Sequence, residues 1–413
     1  MKRIVVTGMG AITPIGNNVN DFWNGLMEGR SGAGPITQFD ATEFTTKFAA
    51  EVKDFDAEAV FGKKDARKLD RYTQFALVAS DEALEDSKLL EYEDLDKDRV
   101  GVIVGSGIGG MITFEKDHNT LRDKGPRRVS PHFIPMMISD IATGQVSIKH
   151  GLKGPNYSTV SACSTGSHAI GTAMMLMQLG HADVMVAGGA EATVSPMAIA
   201  GFNSAKALST NNENPTKASR PFDKDREGFV LGEGSGVLIL ETLEHAEKRG
   251  ATILAELSGF GFTGDAYHVT SPAEGGEGAV RSMKQALHSS NLKPEEIDYI
   301  NAHGTSTGPN DRNETAAVKS VFGDHAYKLN VSSTKSMTGH LLGAAGAIES
   351  VACIKAIQNQ TVPPTINLDE PEEGLDLNYT PNKPEKREIN HVLNNVFGFG
   401  GHNATLILSK FEK

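Results

Sequence analysis

Short runs of β-branched and other apolar residues, each too brief for a helix, recur along the chain. They fall at residues 4–6, 100–104, 184–187, 237–240, 253–257, 297–300, 329–331, 392–396 and 404–408. Several are continuous apolar stretches, the pattern of strands covered on both faces. Between them lie segments such as Tyr72, Phe75, Ala76, Ala79 and Ala83, with apolar residues at three- and four-residue spacing, which is the helical period. The alternation predicts an α/β class. At 413 residues the chain exceeds the size at which one core keeps growing, so two halves or one large layered unit are expected. The 44 glycines lie among the apolar runs and point to tight strand-to-helix turns and close backbone contacts.

Two short internal echoes suggest duplication. "ALEDSKL" at 83–89 resembles "ALHSSNL" at 286–292, and "CSTGSHAIG" at 163–171 resembles "KSMTGHLLG" at 335–343. They occur in the same order, which predicts halves at 1–250 and 251–413. The irregular stretches at 211–226 and 361–385 read as surface loops.

Two cysteines exclude a disulfide framework and a four-cysteine zinc site, and favour a reducing, cytoplasmic setting. The net charge of −12 argues against nucleic-acid binding. The opening "MKRIVV" is broken at once by Gly8, Gly10 and Pro14, so it is not a signal peptide, and no stretch approaches a membrane span.

"GSGIGG" at 105–110 follows a strand, but no second strand and acidic residue come after it at the spacing a dinucleotide fold needs. Structural glycines are the expectation. Cys353, in the apolar helical stretch "SVACIKAI", reads as a core thiol. Cys163 is different, because helical spacing in Ala169, Ile170, Ala173, Met174 and Met177 places it at a helix N-terminus. There, unpaired N–H groups favour a thiolate. His303 in "NAHGTSTG" and His340 in "STKSMTGHLLG" also follow buried strands, where ligand sites of α/β sheets gather. The three residues form a plausible zinc set, but no ligand spacing supports it, so thiol catalysis is preferred and no metal is expected. "NNVFGFGGHN" at 394–403 adds a glycine-rich strand end whose amides can approach a reacting atom.

"SACSTGSHAIG", "PFDKDREGFVLGEG", "NAHGTSTGPND", "STKSMTGHLLGAAG" and "NNVFGFGGHN" together resemble the β-ketoacyl-[acyl-carrier-protein] synthases, in particular the elongating type II enzymes of bacterial fatty-acid synthesis. The resemblance spans nearly the whole chain. It implies a thiolase-like fold, two pseudo-repeated α/β halves forming a five-layered αβαβα core, as a homodimer. It implies Cys163 as the acyl-accepting nucleophile, activated by its helix N-terminus, and the N–H groups of Cys163 and Phe399 as an oxyanion hole. His303 and His340 would donate to the enolate left by malonyl decarboxylation. The Cys-His-His set separates this type from the initiating synthases.

Further roles follow from the same resemblance. Lys335 and Glu349 match a buried, orienting charged pair, and Phe399 a gating phenylalanine. Ile108 matches the gate of the acyl pocket and Phe202 its lining. Thr305 and Thr307 match the residues that bind the pantetheine arm, with Asp265 and His268 near the mouth. His402 stands where relatives often carry Thr. The implied partner is an acidic acyl carrier protein, which brings its own phosphopantetheine, so no resident cofactor is expected. Lys63, Lys64, Arg67, Lys68 and Arg71, with Arg127, Arg128 and Lys206, would form its basic dock. The alternatives are a polyketide ketosynthase, a coenzyme A thiolase, disfavoured by "HGTST" and the second "GH", and a non-catalytic chain-length partner, disfavoured by Cys163.

Overall fold

The computed structural model describes residues 2–413. All nine expected strands form, and together they make one mixed sheet. They are β1 (Ile4–Ile12), β2 (Val100–Gly105), β3 (Val184–Glu191), β4 (Gly234–Thr242), β5 (Ala255–Gly264), β6 (Tyr299–Asn301), β7 (Asn330–Ser332), β8 (His391–Gly398) and β9 (His402–Ser409). Their order across the sheet is β2-β3-β4-β1-β5-β9-β8-β6-β7. Read outward from the middle, β1-β4-β3-β2 and β5-β9-β8-β6 repeat one pattern: two antiparallel pairings, then a parallel one. Among the described residues the one strand pairing between the two leaves joins Ile4–Val6 to residues 255–257.

The helices that set the layers are α1 (Arg71–Ser87), α2 (Met111–Lys124), α3 (Ile141–His150), α4 (Thr165–Gln178), α5 (Glu277–Ser290), α6 (Gly308–Phe322) and α7 (Ala345–Asn359). α4 and α7 pack on each other and lie between the leaves, α4 against β3 and β2, α7 against β4 and β8. α1 and α3 cover the outer face of the first leaf, and α5, backed by α6, covers that of the second. The order is α/β/α/β/α, with one apolar cluster at the centre and one under each outer layer. α7 is buried throughout residues 345–354, where all but Glu349 and Ser350 are apolar or small, as a helix enclosed by protein requires. Truncating Ile348 there to Ala would cost about 2–5 kcal/mol.

β1 runs past Gly8 and Gly10 to Ile12 rather than ending near Val6. The glycines are there because α1 lies on the strand: a Cβ at Gly8 or Gly10 would overlap the carbonyl oxygens of Ala83 and Ala79. Gly259 and Gly261 in β5 meet Ala286 and Ser282 of α5 in the same way. "ALEDSKL" and "ALHSSNL" therefore end corresponding helices, and each helix stops at a left-handed residue, Lys88 (φ 52°) or Asn291 (φ 58°).

The second echo is out of register. α4 and α7 are each preceded by a single 3-10 turn, Ala162–Ser164 and Leu342–Ala344. Each turn opens on a left-handed residue, Ala162 at φ 51° and Leu342 at φ 45°. Cys163 thus corresponds to Gly343, not to Lys335, and the shared Ser, His and Gly letters have no structural counterpart. Among the described residues no helix is long and apolar enough to cross a membrane.

Candidate active site

The parallel strands of both leaves end at one side of the sheet, and a cavity of about 550 Å³ opens there. Cys163 sits in the turn between a left-handed Ala162 and α4. A left-handed non-glycine residue costs of order 1–3 kcal/mol, and here the surroundings enforce it. Thr165 Oγ1 donates to the Ala162 carbonyl at 2.7 Å and accepts from Ser161 N–H at 2.9 Å. Ser164 Oγ reaches the carbonyls of His402 at 2.7 Å and Val396 at 3.1 Å, which ties the elbow to the other leaf.

His340 Nε2 lies 3.0 Å from Cys163 Sγ. The His303 ring stands 5.3 Å from that of His340, at 83°. Backbone contacts hold both main chains: His340 N–H donates to Val230 O at 2.7 Å, and the N–H groups of His303 and Gly304 donate to the Glu314 carboxylate at 2.8 and 2.7 Å. Burial, then the charge of Lys335, holds both imidazoles well below the usual histidine range. They are neutral, and a neutral imidazole can donate from Nε2 without first giving up a proton. Lys335 and Glu349 form a fully buried ion pair behind the histidines. Burial pushes Glu349 up to about 7 against the pull of Lys335.

The thiol differs from the expectation of an acidic, helix-activated cysteine. Burial pushes Cys163 up to about 12, against the charge of Lys335 and the backbone N–H groups of Phe399 and of Cys163 itself. The helix start and the two amides do favour the thiolate, but desolvation outweighs them. At rest Cys163 is a neutral thiol. The N–H groups of the same two residues lie near the thiol. Gly398 lets them do so, because a Cβ there would lie 3.0 Å from Ser161 O and 3.1 Å from Cys163 N.

Ile108, Phe202, Thr305, Thr307, Asp265, Phe399 and Lys206 line the cavity with the Cys-His-His set. Phe202 packs edge-on to Phe229, which packs edge-on to His340. Thr305 and Thr307 share a 2.9 Å hydroxyl hydrogen bond. Asp265 accepts from Asn403 Nδ2 at 2.6 Å, which fixes the loop opposite Phe399. His268 does not line the cavity. Its Nδ1 accepts from Thr270 and Ser271 N–H, both at 3.1 Å, so it braces its own turn while those neighbours face inward.

The basic cluster is divided. Arg71 is committed to the buried Glu233 at 2.7 Å and stacks on Phe75, so it is no docking residue. Lys68 pairs with Asp65 at 2.7 Å and Arg67 with Glu58 at 3.9 Å. Lys63, Lys64, Arg127, Arg128 and Lys206 are exposed, and none of them makes an ion pair with another described residue.

Two buried carboxylates escaped sequence reading. Glu314 sits in helical spacing on α6 with nothing to mark it, and burial pushes it up to about 7. Glu191 ends the otherwise apolar run of β3, and a charge in that place was a usable signal.

Comparison with known proteins agrees with this architecture. Residues 1–246 match the family described as Beta-ketoacyl synthase, N-terminal domain, and residues 254–369 match Beta-ketoacyl synthase, C-terminal domain. The chain is 54% identical over 411 residues to a 3-oxoacyl-[acyl-carrier-protein] synthase 2 of Synechocystis sp., covering 100% of this chain and 99% of that one. It is 53% identical to the protein of the same name in Coxiella burnetii, covering 99% of each. Among solved structures, a β-ketoacyl synthase from Burkholderia phymatum superposes at a TM-score of 0.92 with 36% identity over 100% of both chains. A type II polyketide ketosynthase solved with its acyl-carrier protein superposes at 0.91 with 35% identity, again over 100% of both. On the fold, the site and these relatives, the chain belongs to the β-ketoacyl synthase family.

Proposed function

We propose that this chain elongates fatty-acyl chains by decarboxylative Claisen condensation, taking an acyl group and then a malonyl group from an acyl carrier protein. One observation carries the residue assignment: Cys163 Sγ lies 3.0 Å from His340 Nε2, with the backbone N–H groups of Cys163 and Phe399 near the sulfur. In the first half-reaction Cys163 attacks the acyl thioester. The new C–S bond forms as the carrier thiol leaves, and that thiol takes the cysteine proton. The amides of Cys163 and Phe399 hold the oxyanion, each worth about 3 kcal/mol. The Nε2–H tautomer of His340 supports sulfur as it gains charge.

Malonyl-carrier then loses CO2, and its electron pair passes to the thioester as an enolate. His303 and His340 donate Nε2–H to that oxygen. The enolate carbon attacks the acyl carbonyl, the C–S bond to Cys163 breaks, and 3-oxoacyl-carrier leaves. Thr305 and Thr307 receive the pantetheine arm, and Ile108 and Phe202 face the acyl chain. The reaction requires no resident cofactor or metal, since phosphopantetheine arrives on the carrier.

The exposed, unpaired Lys63, Lys64, Arg127, Arg128 and Lys206 suit an acidic carrier and predict salt-sensitive binding. The protein works as a cytoplasmic homodimer. Exposed Phe114, Leu121, Ile134, Ile148, Tyr157 and Val160 are apolar groups that a second copy would cover. The fatty-acid reading is preferred to a polyketide one because full-length relatives named 3-oxoacyl-[acyl-carrier-protein] synthase 2 are 53–54% identical, against 35% for the polyketide ketosynthase.

The test is intact mass after incubation with acyl-carriers of graded length, beside Cys163→Ala. One acyl group gained by the wild type alone, and discharged as 3-oxoacyl-carrier on adding malonyl-carrier, supports the reading. No gain with any fatty acyl-carrier sinks it.

A further inference from the structure

We propose that Glu191 is a positioning residue for acyl-chain selection, clasping the segment that carries Ile108 to the segment that carries His340 and Leu342. The inference rests on the condensing role proposed above. Glu191 closes β3 and is fully buried. Its carboxylate accepts from Ser106 Oγ at 2.8 Å, Gly107 N–H at 2.9 Å, Ile108 N–H at 3.2 Å and Gly343 N–H at 2.9 Å. No described lysine, arginine or histidine forms an ion pair with it. A buried carboxyl without a cation depends on the donors around it, and this one has four, which oppose the upward push of burial.

The glycines are cut to fit. A Cβ at Gly107 or Gly343 would stand 2.8 or 2.7 Å from Glu191 Oε2, and one at Gly343 would also overlap Gly107 N. Two backbone segments therefore meet around a single carboxylate with no room for a side chain. One leads into Ile108; the other continues from His340 through Leu342. Ile108, Leu342 and Cys163 face the same cavity. With the Ile108 backbone pinned, only its side chain is free to yield to an entering acyl chain, so the carboxylate sets the width available. A pocket that distinguishes one methylene does so by about 10- to 200-fold, which makes a small change in that width measurable. Gly343 is also the counterpart of Cys163, so Glu191 receives the N–H that in the other half serves the reacting sulfur.

The test uses the full-length enzyme with short, medium and long acyl-carriers. It compares wild type with Glu191→Gln, Glu191→Asp and Ser106→Ala. Acylation of Cys163 is followed by intact mass, and CO2 release from malonyl-carrier is measured separately. A glutamine keeps one acceptor oxygen, so its NH2 must face either the Gly107 and Gly343 N–H pair or the Ile108 N–H, and in both orientations the clasp loosens. The ratio of long- to short-chain acylation should shift at least about fivefold in Glu191→Gln, and in the same direction but less in Ser106→Ala. Malonyl decarboxylation should change by a smaller factor than that ratio. A ratio unchanged in both variants overturns the inference, as does an equal loss at every chain length and in decarboxylation. If Glu191→Gln does not fold, Ser106→Ala and Glu191→Asp decide by the same ratio. If the wild type takes no acyl group, the condensing role itself has failed; if it does and the variants keep its ratio, only this inference falls.

Discussion

Replacing Gly398 by Ala adds one methyl group at the point where the two halves of the site touch. Its Cβ would lie 3.0 Å from Ser161 O, 3.1 Å from Cys163 N and 3.3 Å from Ser164 N. Each approach is some tenths of an ångström inside a comfortable contact, and all three atoms belong to a turn held by Thr165 and Ser164. The strand end must therefore move, and the next residue carries the Phe399 amide. Overpacking of this kind costs about 1–3 kcal/mol of stability. Removal of one oxyanion donor costs about 3 kcal/mol in the transition state, and partial misplacement costs some fraction of that. The acylation rate of Cys163, followed by quenched-flow mass spectrometry, should fall by about 10- to 1000-fold. Malonyl decarboxylation, which draws its donors from the imidazoles, should fall much less. If Gly398→Ala folds and acylates within about threefold of wild type, the amide of Phe399 is not an oxyanion donor, and the reasoning fails.

Three further outcomes are expected. His303→Ala should lower CO2 release from malonyl-carrier by about 100- to 1000-fold while Cys163 still acylates; equal loss of both steps would refute the division of roles. Because the Cys163 thiol is pushed up to about 12, its alkylation by iodoacetamide should climb about tenfold per pH unit from 7 to 10 without a plateau. Lys335→Met, which removes a charge favouring the thiolate, should slow it further, and a plateau near neutrality in the wild type would contradict this. Burial raises the Glu241 carboxyl, but hydrogen bonds from Arg249, His245 and Thr7 outweigh it and bring it down to about 2. Its folded value lies below its unfolded one, so its contribution to stability is complete above about 4.5 and is lost as pH falls towards about 2. Arg249→Leu leaves that buried carboxylate without its main partner and should cost about 3–5 kcal/mol in denaturant unfolding.

Most of the strands were legible because a strand covered on both faces is largely apolar, which is a local property, although β5 alternates and β8 buries Asn394 and Asn395. All nine runs became strands of one sheet. Cys163 was legible as a helix-start residue for a similar reason, since the spacing behind it belongs to α4 alone. The family resemblance rested on short contiguous motifs and needed no tertiary knowledge.

Other features depend on what approaches from elsewhere. Gly8 and Gly10 read as strand breakers, yet they continue β1 because helix α1 lies against them. The letters shared by "CSTGSHAIG" and "KSMTGHLLG" misled, because correspondence is set by where helices begin, which places Cys163 opposite Gly343. Arg71 looked like one more cation of a basic cluster until Glu233 was found beside it. His268 turned back on its own loop.

Composition and pattern thus determined the fold class, the strand positions and the three residues worth watching, because hydrophobic periodicity and helix starts are written in neighbouring residues. The protonation states of Cys163, His303, His340 and Glu349 were decided only by the tertiary structure. Desolvation is a property of everything packed around a group, and here it reversed the sign expected for the thiol from its helix alone.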